Sequence, residues 1–425
     1  MTIDAIRVED YYDPVVFRRI KDLADTKDTP FVVIDTETVG KHYDQLIEQF
    51  PFAKVHYAVK ANPAAELISL LRDRGANFDI ASIYELEKVM GLGVSAERCI
   101  FGNTIKKARD IRAFYEKGVR MFATDSEADL RNIAKAAPGS RVYVRILTEG
   151  THTADWPLSR KFGCQTDMAL DLMILARDLG LDPYGVSFHV GSQQRDIGAW
   201  DAAIGKVKIM FERLRDEVGI ELKMINLGGG FPANYIAKTN DLETYASEII
   251  RFLKEDFGEQ LPEIILEPGR SLIANAGVLV SEVVLISRKS RTALQRWVFT
   301  DVGKFSGLIE TLDEAIKYPI YTEKKGEMEE VVIAGPTCDS ADKPACQAVI
   351  VFLAFARGAG HAGLGALIMT IGIAIAFMVS LSGWYEAEGG CGGEKTGSDH
   401  QKISLIHRRT GAHRPIMGCI CKKFA

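Results

Sequence analysis

Short runs rich in β-branched and aromatic residues alternate along most of the chain with stretches whose apolar residues recur at helical spacing, such as AAELISLLRDRG (64–75). Eight strand-like runs stand between the helical stretches: VHYAVK (55–60), FDIAS (78–82), CIFGN (99–103), MFATD (121–125), RVYVRI (141–146), YGVSFHV (184–190), MINLGG (224–229) and EIILEP (263–268). Strand, helix and strand in this order predict right-handed βαβ units and a parallel sheet. Eight units predict an α/β fold with a closed (β/α)₈ TIM-type barrel over residues 36–270.

Polar residues stand at or just after the ends of these strands. They are Lys60, Asp79, Ser82, Asn103, Arg145, His189, Gly228 to Gly230 and Glu267. An open, doubly wound sheet is the alternative architecture, and eight repeats alone do not exclude it. A barrel gathers all its strand C-termini in one mouth, where catalytic groups belong, whereas an unpaired charge buried elsewhere is costly. We therefore favour the barrel.

After Arg270 the pattern changes to strand-like runs without long helices between them: 277–289, 296–303 and 329–336. Their alternation of apolar and polar residues predicts antiparallel strands of a second, all-β domain over residues 271–342. We expect the N-terminal lead, residues 1–35, to join that domain.

The charge of the chain divides near Lys343. The 425 residues have a formal net charge of -5, which argues against a nucleic-acid-binding protein. The tail, residues 343–425, holds 9 basic and 4 acidic residues, so its net charge is +5 and that of the preceding chain is -10. An apolar proportion of 47% is typical of a globular enzyme.

The start of the chain and its cysteine usage favour the cytoplasm. The acidic start, MTIDAIRVEDYYD, shows no secretory signal, and three scattered cysteines before residue 343 make no disulfide framework. The tail contains an uncharged apolar run, 364–384, that is long enough for a transmembrane helix, although we expect no membrane association. We expect no metal site either, because the spacing of the tail's potential ligands matches no compact zinc pattern: Cys391, His400, Cys419 and Cys421.

Four chemical groups at the predicted mouth fit one cofactor: an amine, a phosphate cradle, a carboxylate and a stacking ring. Lys60 is either a solvated charge or an amine that attacks an aldehyde, and Gly228 to Gly230 form either a flexible turn or a phosphate cradle. Glu267 either pairs with Arg270 or keeps a ring nitrogen protonated. His189 is either a core histidine or a ring that stacks on a planar cofactor, and Ser192 offers a hydroxyl to phosphate. Together these are what pyridoxal 5'-phosphate requires.

Six motifs carry a family resemblance over residues 5–342: HYAVKANP, FDIASIYELE, SFHVGSQ, NLGGGFP, LEPGR and GPTCDSAD. In this order they closely resemble the barrel-fold, alanine-racemase-like pyridoxal-phosphate decarboxylases of basic amino acids, in particular the bacterial ornithine/lysine decarboxylases. The resemblance implies that Lys60 forms the Schiff base, that Glu267 partners the pyridine nitrogen and that His189 stacks on the ring. It also implies which residues surround the phosphate or line the cofactor pocket: Ser192, Gly228, Gly229, Gly230 and Arg270 for the phosphate, Asp79 and Arg145 for the pocket.

The resemblance further implies a head-to-tail homodimer whose active site is shared. GPTCDSAD would come from the second subunit, with Cys338 as the acid that protonates the carbon after CO₂ leaves. Asp339 would bind the distal ammonium of the substrate, for which a carboxylate is the natural partner. Glu310 and Asp313 are further acidic candidates for reading the length of the substrate, and the sequence does not choose between them.

The resemblance ends at Asp342. The family continues with further β strands and a Gly-Ala-Tyr-Thr segment, for which residues 343–425 offer no counterpart, so we expect the β domain to be incomplete at its C-terminus. A shifted reading frame, a membrane anchor and a diverged part of the β domain are the three explanations, and we favour the first.

The resemblance implies decarboxylation of L-ornithine, L-lysine or both, to putrescine or cadaverine and CO₂. A diaminopimelate decarboxylase of the same fold is the nearest alternative, and Asp339 beside Cys338 argues against it. The other alternative is a catalytically inactive homologue that binds a protein partner. Lys60 and Glu267 argue against that reading, and the tail argues for it.

Overall fold

The computed structural model describes residues 7–148, 153–156, 161–322, 328–351 and 366–370. Its helices are α1 Pro14–Ala24, α2 Thr36–Gln49, α3 Ala65–Asp73, α4 Ile83–Gly91, α5 Ala108–Glu116, α6 Glu127–Ala136, α7 Thr166–Asp178, α8 Gly198–Val218, α9 Leu242–Phe257 and α10 Arg270–Ile273. Its strands are β1 Phe31–Ile34, β2 Ala53–Ala58, β3 Asn77–Ile80, β4 Cys99–Phe101, β5 Met121–Thr124, β6 Arg141–Arg145, β7 Ala154–Trp156, β8 Asp182–Ser187, β9 Ser192–Gln194, β10 Met224–Asn226, β11 Glu263–Leu266, β12 Gly277–Arg288, β13 Arg296–Thr300, β14 Ile320–Tyr321, β15 Met328–Ala334, β16 Ala345–Val351 and β17 Ala366–Thr370.

Eight parallel strands close the barrel in the order β2, β3, β4, β5, β6, β8, β10 and β11, with β11 pairing back to β2. These are the eight strands that the sequence predicts, and the barrel is confirmed. Strands β7 and β9 form a separate two-stranded sheet.

Three of the barrel helices, α2, α4 and α9, begin at polar side-chain caps that the sequence supplies. Ser82 is one of them: its Oγ accepts a hydrogen bond of 3.3 Å from the Glu85 N–H, while the Glu85 carboxylate accepts one of 2.6 Å from the Ala81 N–H. This reciprocal arrangement satisfies N–H groups at the start of α4 that have no partner inside the helix. Asp35 and Asp241 cap α2 and α9 by accepting hydrogen bonds from the Thr38 and Thr244 N–H groups, without a return bond among the described residues. Ser82 therefore has a structural role at the end of its strand.

Two apolar layers hold the barrel together. The outer layer packs the helices on the strands and includes Trp200, Phe78 and Phe122. A smaller cluster lies inside the barrel, consistent with the alternation of side chains along each strand. Its members come from six strands: Ile100, Ala123, Tyr143, Tyr184, Met224 and Ile265. This inner layer separates the mouth from the opposite, N-terminal face of the barrel.

The second domain is a seven-stranded sheet in the order β14, β17, β12, β13, β15 and β16, with β1 also pairing with β12. The N-terminal lead thus contributes to this sheet, and α1 packs on it through Ile20. One expectation is wrong: β13 and β15 pair in parallel, not antiparallel. Alternation of side chains does not report strand direction, and the connection between β13 and β15 is long enough for a crossover.

Two strands lie beyond residue 342, where we expected the domain to end. Strand β16 pairs antiparallel with β15, and β17 pairs antiparallel with β12 and β14. Residues 366–370 of the apolar run 364–384 are therefore extended and not helical, and the rest of that run lies outside the described residues. An apolar run without alternation fits a strand or a helix equally well, which explains the ambiguity. Within the described part of the chain, no helix is long and apolar enough to cross a membrane.

Candidate active site

The barrel mouth brings together the polar residues predicted at the strand ends. Asp79 lies in β3, Arg145 ends β6, Lys60 follows β2, His189 follows β8 and Glu267 follows β11. The charges of Lys60 and Arg145 act on the carboxyls of both Asp79 and Glu267. These five side chains, which span more than two hundred residues of sequence, share one electrostatic environment.

Asp79 is a buried carboxyl with unused hydrogen-bonding capacity. Its side chain is 8% exposed, and its Oδ1 has no hydrogen-bond partner among the described residues. Burial raises the pKa of Asp79, against the opposing effect of the Lys60 and Arg145 charges. Gly102 packs so closely that a Cβ there would collide with Oδ1. An unsatisfied buried oxygen of this kind indicates a missing polar partner.

Glu267 is held by an asparagine that the sequence analysis missed. The Asn226 Nδ2 donates to Glu267 Oε1 at 2.5 Å, and the Glu267 N–H donates to the Gly228 carbonyl at 2.8 Å. Burial, reinforced by Asp79, raises the pKa of Glu267 to about 7. Asn226 ends β10, two residues before the first glycine of the run, so the criterion used for the other strand ends would have found it. A carboxyl with a pKa near neutrality is suited to sharing a proton with a ring nitrogen.

The His189 ring is neutral in this environment. Burial lowers its pKa well below the ordinary value, and the charges of Arg145, Lys60 and Arg270 lower it further. Its Nδ1 accepts a hydrogen bond of 3.0 Å from the Gly191 N–H, which places the ring proton on Nε2. A neutral imidazole can lie against a planar ring without adding charge.

The glycine run is a close-packed turn and not a flexible one. Gly228 and Gly230 have φ values of 67° and 104°, in the left-handed region that favours glycine. A Cβ at Gly229 would lie 3.2 Å from His189 Nε2, and one at Gly230 would lie 2.6 Å from the Gly191 carbonyl oxygen. No hydrogen bond within the described residues uses the N–H of Gly229 or Gly230. These N–H groups are available to an anion, as a phosphate cradle requires.

Arg270 pairs with Glu310 and not with Glu267. Its guanidinium donates to the two Glu310 carboxylate oxygens at 2.6 and 2.9 Å and to Ser192 Oγ at 3.0 and 3.2 Å. Arg270 and Glu310 are both buried. Of the two acidic candidates for reading substrate length, Glu310 is thus already engaged, whereas Asp313 is exposed with a φ of 52°.

Cys338 and Asp339 lie apart from this cluster in the single chain. Both are exposed, and neither makes a hydrogen bond or ion pair with the mouth residues in the part of the chain that is described. The loop that carries them is fixed by the buried Asp342, which accepts hydrogen bonds from the Lys304 N–H at 2.7 Å and the Thr337 hydroxyl at 2.7 Å. The loop is therefore ordered by its own chain while its tip faces outward.

Sequence reasoning also missed a buried ion pair beside the mouth. Lys106 Nζ is fully buried and donates to Asp129 at 2.7 Å, to the Ala123 carbonyl at 2.6 Å and to the Asn103 carbonyl at 2.9 Å. It joins the ends of β4 and β5 to α6. Sequence offers no signal for it, since a lysine in a polar loop is usually solvated.

The residues present fit pyridoxal phosphate. Lys60 supplies the amine, Asp79 an unsatisfied oxygen, His189 a neutral ring, Glu267 a carboxyl of raised pKa and the glycine run free N–H groups. None of these requirements demands a metal, and the described residues hold no group of three or more side chains that could bind one. The tail candidates, Cys391, His400, Cys419 and Cys421, lie outside the described residues.

Known proteins match this chain in sequence and in fold. Residues 36–274 match the family model of the pyridoxal-dependent decarboxylase, pyridoxal binding domain. The chain is 33% identical to the lysine/ornithine decarboxylase of Selenomonas ruminantium, over 76% of this chain and 81% of that one. It is 31% identical to antizyme inhibitor 2 of Xenopus laevis, over 76% and 74%.

A solved structure agrees. The lysine/ornithine decarboxylase of Vibrio vulnificus complexed with putrescine superposes with a TM-score of 0.74 at 26% identity, over 85% of this chain and 94% of that one. The family match covers more than half of this chain, and the matched span contains the five mouth residues and the glycine run. The cofactor is pyridoxal phosphate, and the protein belongs to the pyridoxal-dependent decarboxylases, in the branch of the ornithine/lysine decarboxylases.

Proposed function

We propose that the protein decarboxylates L-ornithine, L-lysine or both, and releases putrescine or cadaverine and CO₂ for polyamine synthesis in the cytoplasm. The observation that carries the proposal is the cluster of Lys60, Asp79, His189 and Glu267 at one barrel mouth. When bound there, pyridoxal phosphate would supply the electron sink that cleavage of the bond from Cα to the carboxylate requires. The three free thiols among the described residues, Cys99, Cys164 and Cys338, suit a reducing compartment.

Each of the mouth residues has a separate role in holding the cofactor. Lys60 Nζ would bind the cofactor aldehyde, and the Glu267 carboxylate would accept a hydrogen bond from the ring nitrogen and so keep it protonated. His189 packs its neutral ring on the cofactor. The glycine N–H groups and Ser192 hold the phosphate, and Asp79 and Arg145 line the pocket.

We propose that the active site is completed by a second copy of the chain. The support is the exposure of Cys338 and Asp339, which lack partners at their own chain's mouth. Exposed apolar side chains stand on the segment to which the loop is tied: Phe305 is 54%, Ile309 37% and Leu312 41% exposed. Such a patch favours a protein interface. The Cys338 thiol would then give its proton to the carbon that loses CO₂, and Asp339 would bind the distal ammonium.

Reconstitution with pyridoxal phosphate tests the chemistry. We expect an absorbance band near roughly 420 nm, the region of lysine-bound cofactor, and its loss in Lys60→Ala. Turnover of ornithine, lysine and diaminopimelate should then be compared in one assay. Turnover of diaminopimelate alone would contradict the substrate class.

The similarity to an antizyme inhibitor favours one second candidate, a protein that binds a partner and has no decarboxylase activity. A soluble protein that shows no band with added cofactor, and no CO₂ release from any of the three amino acids, would support this candidate.

Mixing two inactive variants tests the shared site. Lys60→Ala and Cys338→Ala each lack one part, and random re-pairing gives mixed dimers with one intact site. Activity should return to about a quarter of the wild-type value if the site is shared between copies. A mixture that stays inactive after subunit exchange would show that each chain works alone.

A further inference from the structure

Two buried tyrosines of the inner layer turn their hydroxyls towards opposite ends of the barrel. Tyr143 lies in β6 and Tyr184 in the neighbouring strand β8, and the two side chains are 1% and 8% exposed. The Tyr184 hydroxyl donates to Glu263 Oε2 at 3.0 Å, at the N-terminal face. The charges that act on the Tyr143 hydroxyl come instead from the mouth, with Glu267 and Asp79 foremost. This contrast places the Tyr143 hydroxyl beneath the cofactor site.

The geometry of β6 agrees with this placement. Tyr143 stands two residues before Arg145, the last residue of the strand, so the two side chains point to the same side of the sheet. Tyr143 therefore lies one step deeper in the barrel than Arg145. Its register partners are small, Ala123 in β5 and Gly185 in β8, and they leave room for the phenol ring. The ring fills the inner layer while the hydroxyl faces the mouth residues.

The Tyr143 hydroxyl is buried and has no hydrogen-bond partner among the described residues. An unpaired buried hydroxyl destabilises the folded chain, and phenylalanine would fill nearly the same volume without that cost. Tyr184 in the same layer is satisfied by its own chain, so an unpaired hydroxyl is not a general property of this layer. A polar atom of this kind indicates a partner that is present only when the site is occupied.

The Tyr143 phenol keeps its proton and is a hydrogen-bond donor. Burial raises its pKa well above the ordinary value, and the charges of Glu267 and Asp79 raise it further. Of these two carboxyls, Glu267 has the larger effect on the phenol. Because electrostatic interaction weakens with distance, Glu267 is the preferred acceptor for the Tyr143 proton.

The Glu267 carboxylate can accept more than one donor. Asn226 Nδ2 donates to its Oε1 at 2.5 Å, and an ionised carboxylate offers about four lone-pair positions. Burial, reinforced by Asp79, raises the pKa of Glu267 to about 7, so near neutral pH a part of the protein carries the neutral acid. A donor that bonds to the ionised form favours that form. The ionised form is the one that stabilises a protonated ring nitrogen.

We propose that Tyr143 is a positioning residue of the cofactor site: when the pocket is filled, its hydroxyl donates a hydrogen bond to the Glu267 carboxylate and through it stabilises the protonated ring nitrogen. The inference rests on the proposed function, because it concerns how Glu267 meets the ring. Two donors of the chain, Asn226 and Tyr143, then hold the carboxylate ionised, and lone pairs remain for the ring N–H.

The test uses two ligands that differ only at the ring nitrogen. Full-chain protein is stripped of cofactor and titrated with pyridoxal phosphate and with its 1-deaza analogue, in which a C–H group replaces the nitrogen. Quenching of tryptophan fluorescence gives both dissociation constants. Tyr143→Phe should weaken pyridoxal phosphate roughly tenfold and leave the analogue unchanged, because the analogue has no ring N–H for Glu267 to accept. In protein that already carries Glu267→Gln, Tyr143→Phe should have no further effect.

Tyr184→Phe is the matched control, since it makes the same chemical change in the same layer but at the other end of the barrel. It should bind both ligands as the wild type does. Urea unfolding of the cofactor-free proteins distinguishes the two tyrosines a second time. Tyr184→Phe should unfold at a lower urea concentration than the wild type, because Glu263 loses a donor. Tyr143→Phe should unfold at the same or a higher concentration, because its hydroxyl bonds to no described residue.

Binding of pyridoxal phosphate by Tyr143→Phe as tight as that by the wild type would overturn the inference. So would equal weakening of both ligands, a further loss in the Glu267→Gln protein, or a lower urea midpoint for cofactor-free Tyr143→Phe. Wild-type protein that binds the two ligands equally would refute the role of Glu267 in the proposed function, and the inference with it. A wild-type preference for pyridoxal phosphate that Tyr143→Phe retains refutes the inference alone.

Discussion

Both ends of the barrel carry charged side chains, but in the part of the chain that is described these form ion pairs at the N-terminal face and lack comparable pairs at the mouth. At the N-terminal face a cavity of about 560 Å³ is lined by charged residues, among them Lys54, Arg141, Asp182 and Glu263. Lys54 Nζ lies 3.1 Å from a Glu263 oxygen, and Arg141 lies 3.9 Å from Asp182. These charges are paired at the edge of solvent.

At the mouth, the charged side chains form no comparable ion pairs among the described residues, although Asp79 is buried and Arg145 and Glu267 are half-buried. Asp79 has an oxygen without a partner in the described chain, and the pKa of Glu267 is raised to about 7 by burial and by Asp79. The difference lies in whether the folded chain satisfies its own polar groups, and an unsatisfied group is the better indicator of a ligand.

The largest expected contrast is between the same substitution at the two ends. Glu267→Gln should lower kcat/KM by about a hundredfold to a thousandfold, because it removes the carboxylate that stabilises charge on the cofactor ring. Glu263→Gln should change kcat/KM by less than about twofold, since its contacts are remote from the chemistry. Steady-state kinetics on both variants measure the contrast, and similar losses in the two would break it.

Glu267 at the mouth and His56 at the N-terminal face should make stability depend on pH in opposite directions. Burial raises the pKa of Glu267 from 4.5 to about 7, so the folded state favours the protonated carboxyl. Its contribution to stability is full below pH 4.5 and is lost as the pH rises through about 7. Burial lowers the pKa of His56, in the N-terminal cavity, from 6.5 to about 4. Its contribution is full above pH 6.5 and is lost as the pH falls through about 4.

Urea unfolding of cofactor-free protein across this range separates the two groups. The free energy of unfolding of the wild type minus that of Glu267→Gln gives the contribution of Glu267. This difference should fall by about 3 kcal/mol towards neutral pH. The corresponding difference for His56→Gln gives the contribution of His56, which should fall by about 3 kcal/mol towards acid pH. Curves of the same sign would show that burial does not act on the two groups as described.

A smaller effect should follow from closing the space beside Asp79. Gly102→Ala places a methyl group against Asp79 Oδ1, so the carboxyl must move. We expect cofactor affinity to fall roughly tenfold, equivalent to about 1.4 kcal/mol. Gly205→Ala on α8 is the control, because its Cβ would meet no atom closer than 3.9 Å. Equal affinities in the two variants would mean that the position of Asp79 is unimportant for the cofactor.

The smallest effect should come from the N-terminal face. The Lys54 side chain is 57% exposed and that of Glu263 22% exposed. Solvent screens such a pair, so Lys54→Met should lower the free energy of unfolding by less than about 1 kcal/mol. Urea unfolding at neutral pH measures it, and a loss of several kcal/mol would show that this end is not as well solvated as its exposure indicates.

The barrel was predictable because its signal is local and repeated. Each strand and helix has its own periodicity, and a residue such as Lys60 or Glu267 at a strand end needs only the closure of the barrel to reach the mouth. Asn226 met the same criterion and was overlooked. The partner of Arg270 was not predictable, because Glu310 lies 40 residues away in another domain. Sequence spacing favoured Glu267, three residues before the arginine, and three-dimensional packing selected Glu310.

The second domain was less predictable because its pairings are non-local. Strand β1 pairs with β12 across more than two hundred residues, and β13 meets β15 in parallel. Alternation identifies such strands but gives neither their partners nor their direction. The apolar residues of β17 lack even alternation, so the run 364–384 that contains them matched a membrane segment as well as a strand.

The hydrogen bonds through which Asp342 orders the loop at residues 335–342 have a kinetic consequence. A surface that is ordered only on contact loses conformational freedom at the moment of association, which slows productive encounters and weakens the complex. Asp342 fixes its loop beforehand through the backbone N–H groups of Lys304 and Thr337, so Cys338 and Asp339 are presented in a fixed geometry in each separate chain. In the proposed dimer, two copies would therefore associate by rigid-body docking of preordered loops and not by folding on contact.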